Sequence, residues 1–285
     1  MLADFALDIP MGRIAGLRGG TPGAPRVLAL HGWLDNAASF VPLAAEFERT
    51  GMHVELVAPD LPGHGRSAHL PPGADYSFAG ALHAVLDIAD ALGWDEFALL
   101  GHSMGAGIAS LVAAGAPERV QRLLAIEALG ALPEAADRTV ARLREAVAAT
   151  RALPGKRLRV FPDLEPAVRA RMRANELGEA AARLLVERGV RAVPGGCEWS
   201  SDPRLTLPTM VRMTEAQVRA LIAGIECPAR VIYADPPQRY LPEPLRSEHA
   251  ALLPRGELIV LPGGHHLHME DPRAVAAAIG DFFLR

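Results

Sequence analysis

One short run, Gly101-His102-Ser103-Met104-Gly105, constrains the fold of this chain more than any other feature. It follows an apolar, strand-like run at 97–100 and precedes a helical pattern rich in small residues. So sharp a passage from strand to helix forces Ser103 into a strained backbone conformation, and glycine on either side lets the neighbouring backbone pass without clashing. The run therefore predicts a strand, a tight turn and a buried helix, with the Ser103 hydroxyl at the apex.

Other apolar runs alternate with helical patterns through the first half of the chain. Ser77 is a good N-cap for one such helix, and the last helix is predicted at 272–283. Alternating strands and helices predict an α/β fold with a mostly parallel central sheet and helices on both faces. The predicted strands are 26–31, 54–59, 97–100, 123–126, 229–234 and 257–261.

The pattern changes after residue 130, where amphipathic helices rich in alanine and arginine take over. Strand-like periodicity returns only at 229–234. We therefore predict a helical cap at 131–219, inserted into a core formed by 1–130 and 220–285. The arginines between Arg138 and Arg191 are expected to form a solvated face of this cap.

Composition restricts the class of partner. The chain has 29 Lys+Arg against 33 Asp+Glu, a net charge of −4, and half its residues are hydrophobic. This balance argues against disorder and offers no basic footprint for nucleic acid, so a small, mainly apolar molecule is the expected partner. The apolar stretch 97–116 contains His102, Ser103 and several glycines, which argues against a membrane span. With no basic and apolar leader at Met1-Leu2-Ala3-Asp4, a cytoplasmic location is expected.

A serine hydroxyl is a weak nucleophile unless a base removes its proton, so a histidine must reach the turn at Ser103. His265 is well placed, because it follows the last predicted strand and precedes the last helix, and His266 and His268 compete with it. This histidine cluster is also a candidate metal site, but no second cluster of carboxylates or histidines accompanies it. We expect neither a metal nor another cofactor.

The run His31-Gly32-Trp33, at the end of the first predicted strand, has the form of an oxyanion-hole turn. A tetrahedral intermediate needs preorganised donors, and the backbone N–H groups of Trp33 and Met104 are the candidates. The alternative is a plain strand-ending turn. We expect His31 to be a structural residue and the Trp33 amide to be catalytic.

These residues resemble the α/β-hydrolase superfamily over nearly the whole chain. The resemblance rests on four motifs in the same order as in that family: residues 31–32, 60–67, 101–105 and 264–265. More narrowly, HGWLDNAASF at 31–40, Glu127 and GGHHLHMEDP at 263–272 look like the serine hydrolase-like proteins, which are capped members of the family. The resemblance implies a fold and a Ser–His–acid mechanism, and it leaves the substrate open.

The acid of that mechanism is the point where the sequence departs from the commonest family pattern. The position at which most relatives carry it corresponds here to Pro237, which cannot orient a histidine. Asp235 is nearby, and Glu127 directly follows the strand after Ser103, where a subset of haloalkane dehalogenases places its acid. A carboxylate beside so apolar a run needs a partner such as an imidazolium, so Glu127 is favoured and Asp235 is the alternative.

Dehalogenases and epoxide hydrolases attack through an aspartate at the turn that Ser103 occupies here, so the resemblance favours acyl transfer. The expected function is hydrolysis of an ester of a small to medium, mainly apolar substrate. An acyltransferase with the same three residues and a non-catalytic ligand-binding protein remain alternatives. The candidate substrate-binding residues are His31, His102, Trp199, Met210 and Met213. For the last three, packing within the cap is the favoured alternative, because a methionine or tryptophan at helical spacing more often packs in a core.

Overall fold

The protein was analysed as a computed structural model that describes residues 1–153 and 159–284. The first strands form a hairpin and are followed by alternating strands and helices. In chain order the strands are β1 (Ala3–Ile9), β2 (Gly12–Gly20), β3 (Arg26–Leu30), β4 (Glu55–Pro59), β5 (Phe97–His102), β6 (Val120–Ile126), β7 (Val190–Val193), β8 (Gly196–Trp199), β9 (Ala229–Asp235) and β10 (Gly256–Pro262). The helices are α1 (Val41–Thr50), α2 (Phe78–Ala91), α3 (Met104–Gly115), α4 (Thr139–Ala152), α5 (Leu164–Asn175), α6 (Glu179–Gly189), α7 (Glu215–Ala223), α8 (Leu245–Ala250), α9 (Leu267–Glu270) and α10 (Pro272–Ile279).

An eight-stranded sheet organises the core, with the strand order β1-β2-β4-β3-β5-β6-β9-β10. The pairings of β1 with β2 and of β2 with β4 are antiparallel, and all strands from β4 to β10 along the sheet run parallel. The predicted α/β class with a mostly parallel sheet is confirmed. The hairpin β1–β2 was not predicted, because it is a partly exposed edge without a continuous apolar run.

Helices cover both faces of this sheet. Successive side chains of a strand point to opposite faces, so the two faces of β3 belong to different cores. Leu28 and Leu30 pack in the core beneath α2, α3 and α7, whereas Val27 and Ala29 pack in the core beneath α1 and α10. Central strands buried on both faces explain why the sequence shows short apolar runs here rather than alternation.

Residues 131–219, which we call the inserted segment, follow β6 and end within α7. Their described part contains the helices α4, α5 and α6 and also the two-stranded antiparallel sheet β7–β8, which was not predicted. It has its own apolar cluster, which includes Phe161, Val168 and Leu185. The strands of β7–β8 are short and are separated by Gly195-Gly196, so they carry too little periodicity to be recognised from sequence.

The carboxyl ends of β3, β5, β6, β9 and β10 meet at one edge of the sheet, because these strands are parallel neighbours. Ligand sites of open α/β sheets lie outside this edge. The loops that leave it contain Trp33, Ser103, Glu127 and His265. Among the described residues, no helix combines the length and the apolar character needed to cross a membrane.

Candidate active site

Ser103 occupies a strained turn between β5 and α3. Its backbone has φ 52° and ψ −119°, a conformation that side chains rarely adopt. A Cβ at position 105 would lie 2.0 Å from the carbonyl oxygen of Leu30, and one at position 101 would lie 2.4 Å from the Cα of Ala106. Both glycines are therefore required by close backbone approach. Ser103 N–H donates to the carbonyl of Ile126 at 2.8 Å, which joins the turn to the end of β6.

His265 is the histidine that contacts Ser103. Its Nε2 atom lies 2.9 Å from Ser103 Oγ, in hydrogen-bond distance. The two competing histidines are engaged elsewhere, because His266 Nε2 lies 3.3 Å from a carboxylate oxygen of Asp35 and His268 Nε2 lies 2.7 Å from Ser39 Oγ. His265 follows β10 and remains 21% exposed at its side chain, so its ring is open to the site.

Glu127 is the acid beside His265. Its Oε2 atom lies 3.2 Å from His265 Nδ1, and its Oε1 atom accepts a 2.5 Å hydrogen bond from the backbone N–H of Ala234. The residue is buried and has a positive φ of 60°, which turns its side chain out of the strand direction at the end of β6. Asp235, the alternative acid, is exposed at the end of β9.

The candidate oxyanion donors flank Ser103. Met104 is the first residue of α3, so its N–H has no acceptor within the helix. The N–H of Trp33 donates no hydrogen bond within the described part of the chain. The Trp33 indole, which is half exposed, donates from Nε1 to the carbonyl of Leu205 at 2.8 Å and so links this turn to the inserted segment.

Tyr240 lies in the site although no pattern in the sequence marks this residue. Its hydroxyl lies 3.2 Å from His265 Nδ1, in hydrogen-bond distance. Burial of the hydroxyl and the charge of Glu127 raise the pKa of Tyr240 to about 12, so the phenol stays protonated at neutral pH. Tyr240 stands in the loop between β9 and α8, in which no pattern marks a functional residue.

The five candidate substrate-binding residues are not brought together. His31 and His102 are fully enclosed in the core, and burial lowers the pKa of each to about 4. His31 Nε2 accepts from the N–H of Leu61 at 3.0 Å, which agrees with the structural role expected for this ring. Enclosed side chains cannot line an open pocket, so we do not propose His31 and His102 as substrate contacts.

The other three candidates lie within or against the inserted segment. Trp199 packs edge-to-face on Phe161, with ring centroids 5.4 Å apart. Met213 packs against the core beneath α7, and Met210 lines a crevice with Glu134 and Arg142 whose lining residues do not include Ser103. These contacts favour the packing role that the sequence analysis gave as the alternative.

Two arginines depart from the expected solvated face. Arg188 of α6 is 5% exposed, and its Nε atom donates to both carboxylate oxygens of the fully buried Asp60, at 2.9 and 3.0 Å. Arg171 of α5 pairs with the buried Asp35. The prediction is wrong for these two side chains, because each neutralises a carboxylate of the core. The partners lie 128 and 136 residues away in the sequence, and no local pattern connects them.

The fold and this Ser–His–Glu arrangement define a hydrolase of the α/β class. The chain belongs to the alpha/beta hydrolase fold family, whose model matches residues 25–174. Within the family it is similar to the serine hydrolase-like proteins. One from Dictyostelium discoideum is 30% identical over 270 residues, which cover 90% of this chain and 74% of that protein. The predicted resemblance is thereby confirmed.

Solved structures agree with this assignment. A hypothetical protein from Pseudomonas aeruginosa PAO1 is 41% identical and superposes with a TM-score of 0.92, covering 99% of both chains. The thioesterase domain from the curacin biosynthetic pathway is 25% identical, with a TM-score of 0.84 over 98% of this chain and 99% of that chain.

Proposed function

We propose that this chain is a serine hydrolase that cleaves esters of small to medium, mainly apolar substrates through an acyl-enzyme on Ser103. The observation that carries the proposal is the 2.9 Å hydrogen bond between Ser103 Oγ and His265 Nε2, with Glu127 at the far side of the ring. A nucleophile, a base and a group that orients the base, in that order, suit acyl transfer.

In the first half-reaction Ser103 Oγ attacks the carbonyl carbon, and its proton passes to His265 Nε2. The negative charge that develops on the carbonyl oxygen is stabilised by the backbone N–H groups of Trp33 and Met104. The tetrahedral intermediate then collapses. The bond to the leaving oxygen breaks, the alcohol departs with the proton from His265, and the acyl group remains on Ser103.

In the second half-reaction water attacks the acyl-enzyme. His265 accepts a proton from the water and returns it to Ser103 as the carboxylic acid is released, so the enzyme is regenerated. Glu127 holds the proton of the resting ring on Nδ1 and stabilises the imidazolium that forms in both halves. The hydrogen bond from Ala234 fixes the carboxylate for this role.

Serine at the turn supports acyl transfer over carbon–halogen or epoxide opening, for which the family uses aspartate. The similarity to a thioesterase domain adds thioesters to the acyl substrates that should be tested. An acyltransferase would share the first half-reaction and pass the acyl group to an alcohol, amine or thiol instead of water. Product analysis with such acceptors separates the two outcomes.

The direct test is turnover of p-nitrophenyl esters of graded acyl length, from acetate to palmitate, by wild type and Ser103→Ala in parallel. We expect an optimum chain length for the wild type and a loss of kcat of about 10⁴-fold or more in the variant. A fluorophosphonate should label the wild type at Ser103 and leave the variant unlabelled. Undiminished labelling of Ser103→Ala would contradict the proposed mechanism.

A further inference from the structure

Asp35 contacts the sequence neighbours of Ser103 and His265 through one carboxylate oxygen and the inserted segment through the other. It lies in the turn after β3, two residues beyond Trp33, and its side chain is only 2% exposed. Each of its carboxylate oxygens has separate partners. Oδ2 faces His102 and His266, and Oδ1 accepts from the guanidinium of Arg171 in α5.

The first oxygen leads to the base. Oδ2 lies 3.6 Å from His102 Nδ1 and 3.3 Å from His266 Nε2. These histidines are the sequence neighbours of Ser103 and His265. His102 also donates from Nε2 to the backbone carbonyl of His265 at 2.8 Å. The hydrogen-bonded route from Asp35 to the base therefore runs through His266, which directly follows His265 in the sequence. His102 lies between Asp35 and the backbone carbonyl of His265, which it holds from Nε2.

The packing around this route is tight. A Cβ at position 32 would lie 2.8 Å from Asp35 Oδ2 and 2.9 Å from His102 Nδ1, so the pair is closed against the backbone of Gly32. The rings of His102 and His266 are 5.0 Å apart. A close-packed group of this kind cannot absorb a displaced member without moving its neighbours.

The second oxygen leads to the inserted segment. Arg171 is 11% exposed, and among the described residues its guanidinium pairs with Asp35 alone. Burial alone would raise the pKa of Asp35, but the hydrogen bond from His266 and the charge of Arg171 hold the pKa well below its ordinary value. The carboxylate is thus ionised and needs these partners, because a buried charge without compensation is strongly unfavourable.

We propose that Asp35 is a positioning residue that makes the alignment of His265 depend on the docking of α5 through Arg171. This inference rests on the proposed roles of Ser103 and His265. It means that the inserted segment influences the chemical step as well as access to the site. When α5 is docked, Arg171 neutralises the carboxylate of Asp35, and the loop that contains His265 and His266 is held in place. When α5 is not docked, Asp35 has lost its cation.

Asp35, His102 and His266 also offer ligand atoms that all lie within 4.8 Å of one another, the geometry of a candidate metal group. Arg171 already pairs with the same carboxylate, so a divalent ion would place a large excess of positive charge in a buried volume. We therefore favour the ion-paired network, and the metal content of the purified protein tests this choice.

The experiment compares Arg171→Met with Arg173→Met, a matched control on the exposed side of α5. For each variant kcat and KM on a p-nitrophenyl ester and the rate of fluorophosphonate labelling are measured. We expect Arg171→Met to lower kcat and the labelling rate together by about 10- to 100-fold with little change in KM, since small misalignments of a base have effects of this size. Arg173→Met should match the wild type.

Two further variants keep the test interpretable. Arg171→Lys should recover part of the lost kcat, which a general loss of folding would not predict. Asp35→Asn should lower kcat as well. The double variant Arg171→Met/Asp35→Asn should have a kcat no lower than that of Asp35→Asn alone, because both changes break the same ion pair. If Asp35→Asn does not fold, the comparison of Arg171→Met with Arg171→Lys carries the test.

Several results would overturn the inference. One is a wild-type kcat and labelling rate in Arg171→Met, and another is a change confined to KM, which would make Arg171 a substrate-binding residue. A third is one equivalent of zinc in the purified protein that is lost in His266→Gln. Failure of the proposed function has a different signature, namely a wild type that neither turns over esters nor reacts with the fluorophosphonate.

Discussion

Glu127 Oε2 lies 3.2 Å from His265 Nδ1, although 138 residues separate the two in the sequence. The contact forms because β6, β9 and β10 are successive parallel strands of the sheet, and Glu127 and His265 stand just beyond the ends of β6 and β10. Its own N–H donates to Ile232 at 2.9 Å, which continues the sheet pairing up to the acid.

The acid can be identified by comparing Glu127→Gln with Asp235→Asn. An amide at 127 cannot stabilise the imidazolium and can favour the wrong tautomer of His265, so kcat should fall by about 10³- to 10⁴-fold. Asp235→Asn is the matched control, because this carboxylate is exposed and should leave kcat near the wild-type value. The reverse ranking of the two variants would transfer the role to Asp235.

Tyr240→Phe tests the hydroxyl that contacts His265 Nδ1. The ring is kept and one hydrogen-bonding group is removed, so we expect kcat to fall by about five- to tenfold, equivalent to about 1 kcal/mol. Because the pKa of Tyr240 is raised to about 12, no ionisation of this phenol should appear in the pH–rate profile of the wild type below pH 10.

The control for this change is Tyr233→Phe. The hydroxyl of Tyr233 is buried and has no hydrogen-bond partner in the described part of the chain, so its loss should leave kcat unchanged. An effect of Tyr240→Phe on KM alone would show that this hydroxyl contacts the substrate and does not align His265.

Sequence reasoning can select candidate residues that are fixed by their place at the end of a strand. Ser103, Glu127 and His265 each follow a parallel strand, and such strands bring their carboxyl ends together regardless of the distance along the chain. A local pattern therefore carried information about a long-range arrangement.

The same reasoning failed for Tyr240, Arg171 and Arg188, because none of them stands directly at the end of a strand of the central sheet. Tyr240 belongs to a loop, and the arginines belong to helices whose exposed and buried basic residues look alike in sequence. Their positions depend on how the inserted segment packs against the core. That packing depends on contacts between distant residues, for which the sequence shows no periodic signal.

Arg188→Met should destabilise the folded protein by about 3–5 kcal/mol, because it leaves the buried Asp60 without its cation. Asp60 also accepts from the N–H groups of Ala37 and Arg66, at 2.8 and 2.9 Å, so these loops should loosen as well. Urea denaturation measures the loss of unfolding free energy. Arg191→Met is the control, since its pair with Glu198 is on the surface and should contribute about 1 kcal/mol or less.

The stability of the fold should fall as the pH is lowered from about 6.5 towards 4. Four buried histidines have a lowered pKa, and burial is the largest cause in each case: about 4 for His31 and His102, about 3 for His64, and well below the ordinary value for His268. Between these values and 6.5 the unfolded chain binds protons that the folded chain does not. Each such histidine makes the free energy of unfolding fall by up to about 1.4 kcal/mol per pH unit, whereas above pH 7 it contributes no slope.

His64→Gln tests this account against His83→Gln. His64 donates from Nδ1 to the carbonyl of Pro62 at 3.1 Å, and a glutamine amide can donate in its place without binding a proton. Urea denaturation at pH 7.5, 6 and 5 should therefore show a smaller loss of stability for His64→Gln than for the wild type. His83 is exposed, so His83→Gln should follow the wild-type curve. Equal slopes for all three proteins would mean that the proton uptake on unfolding comes from groups other than His64.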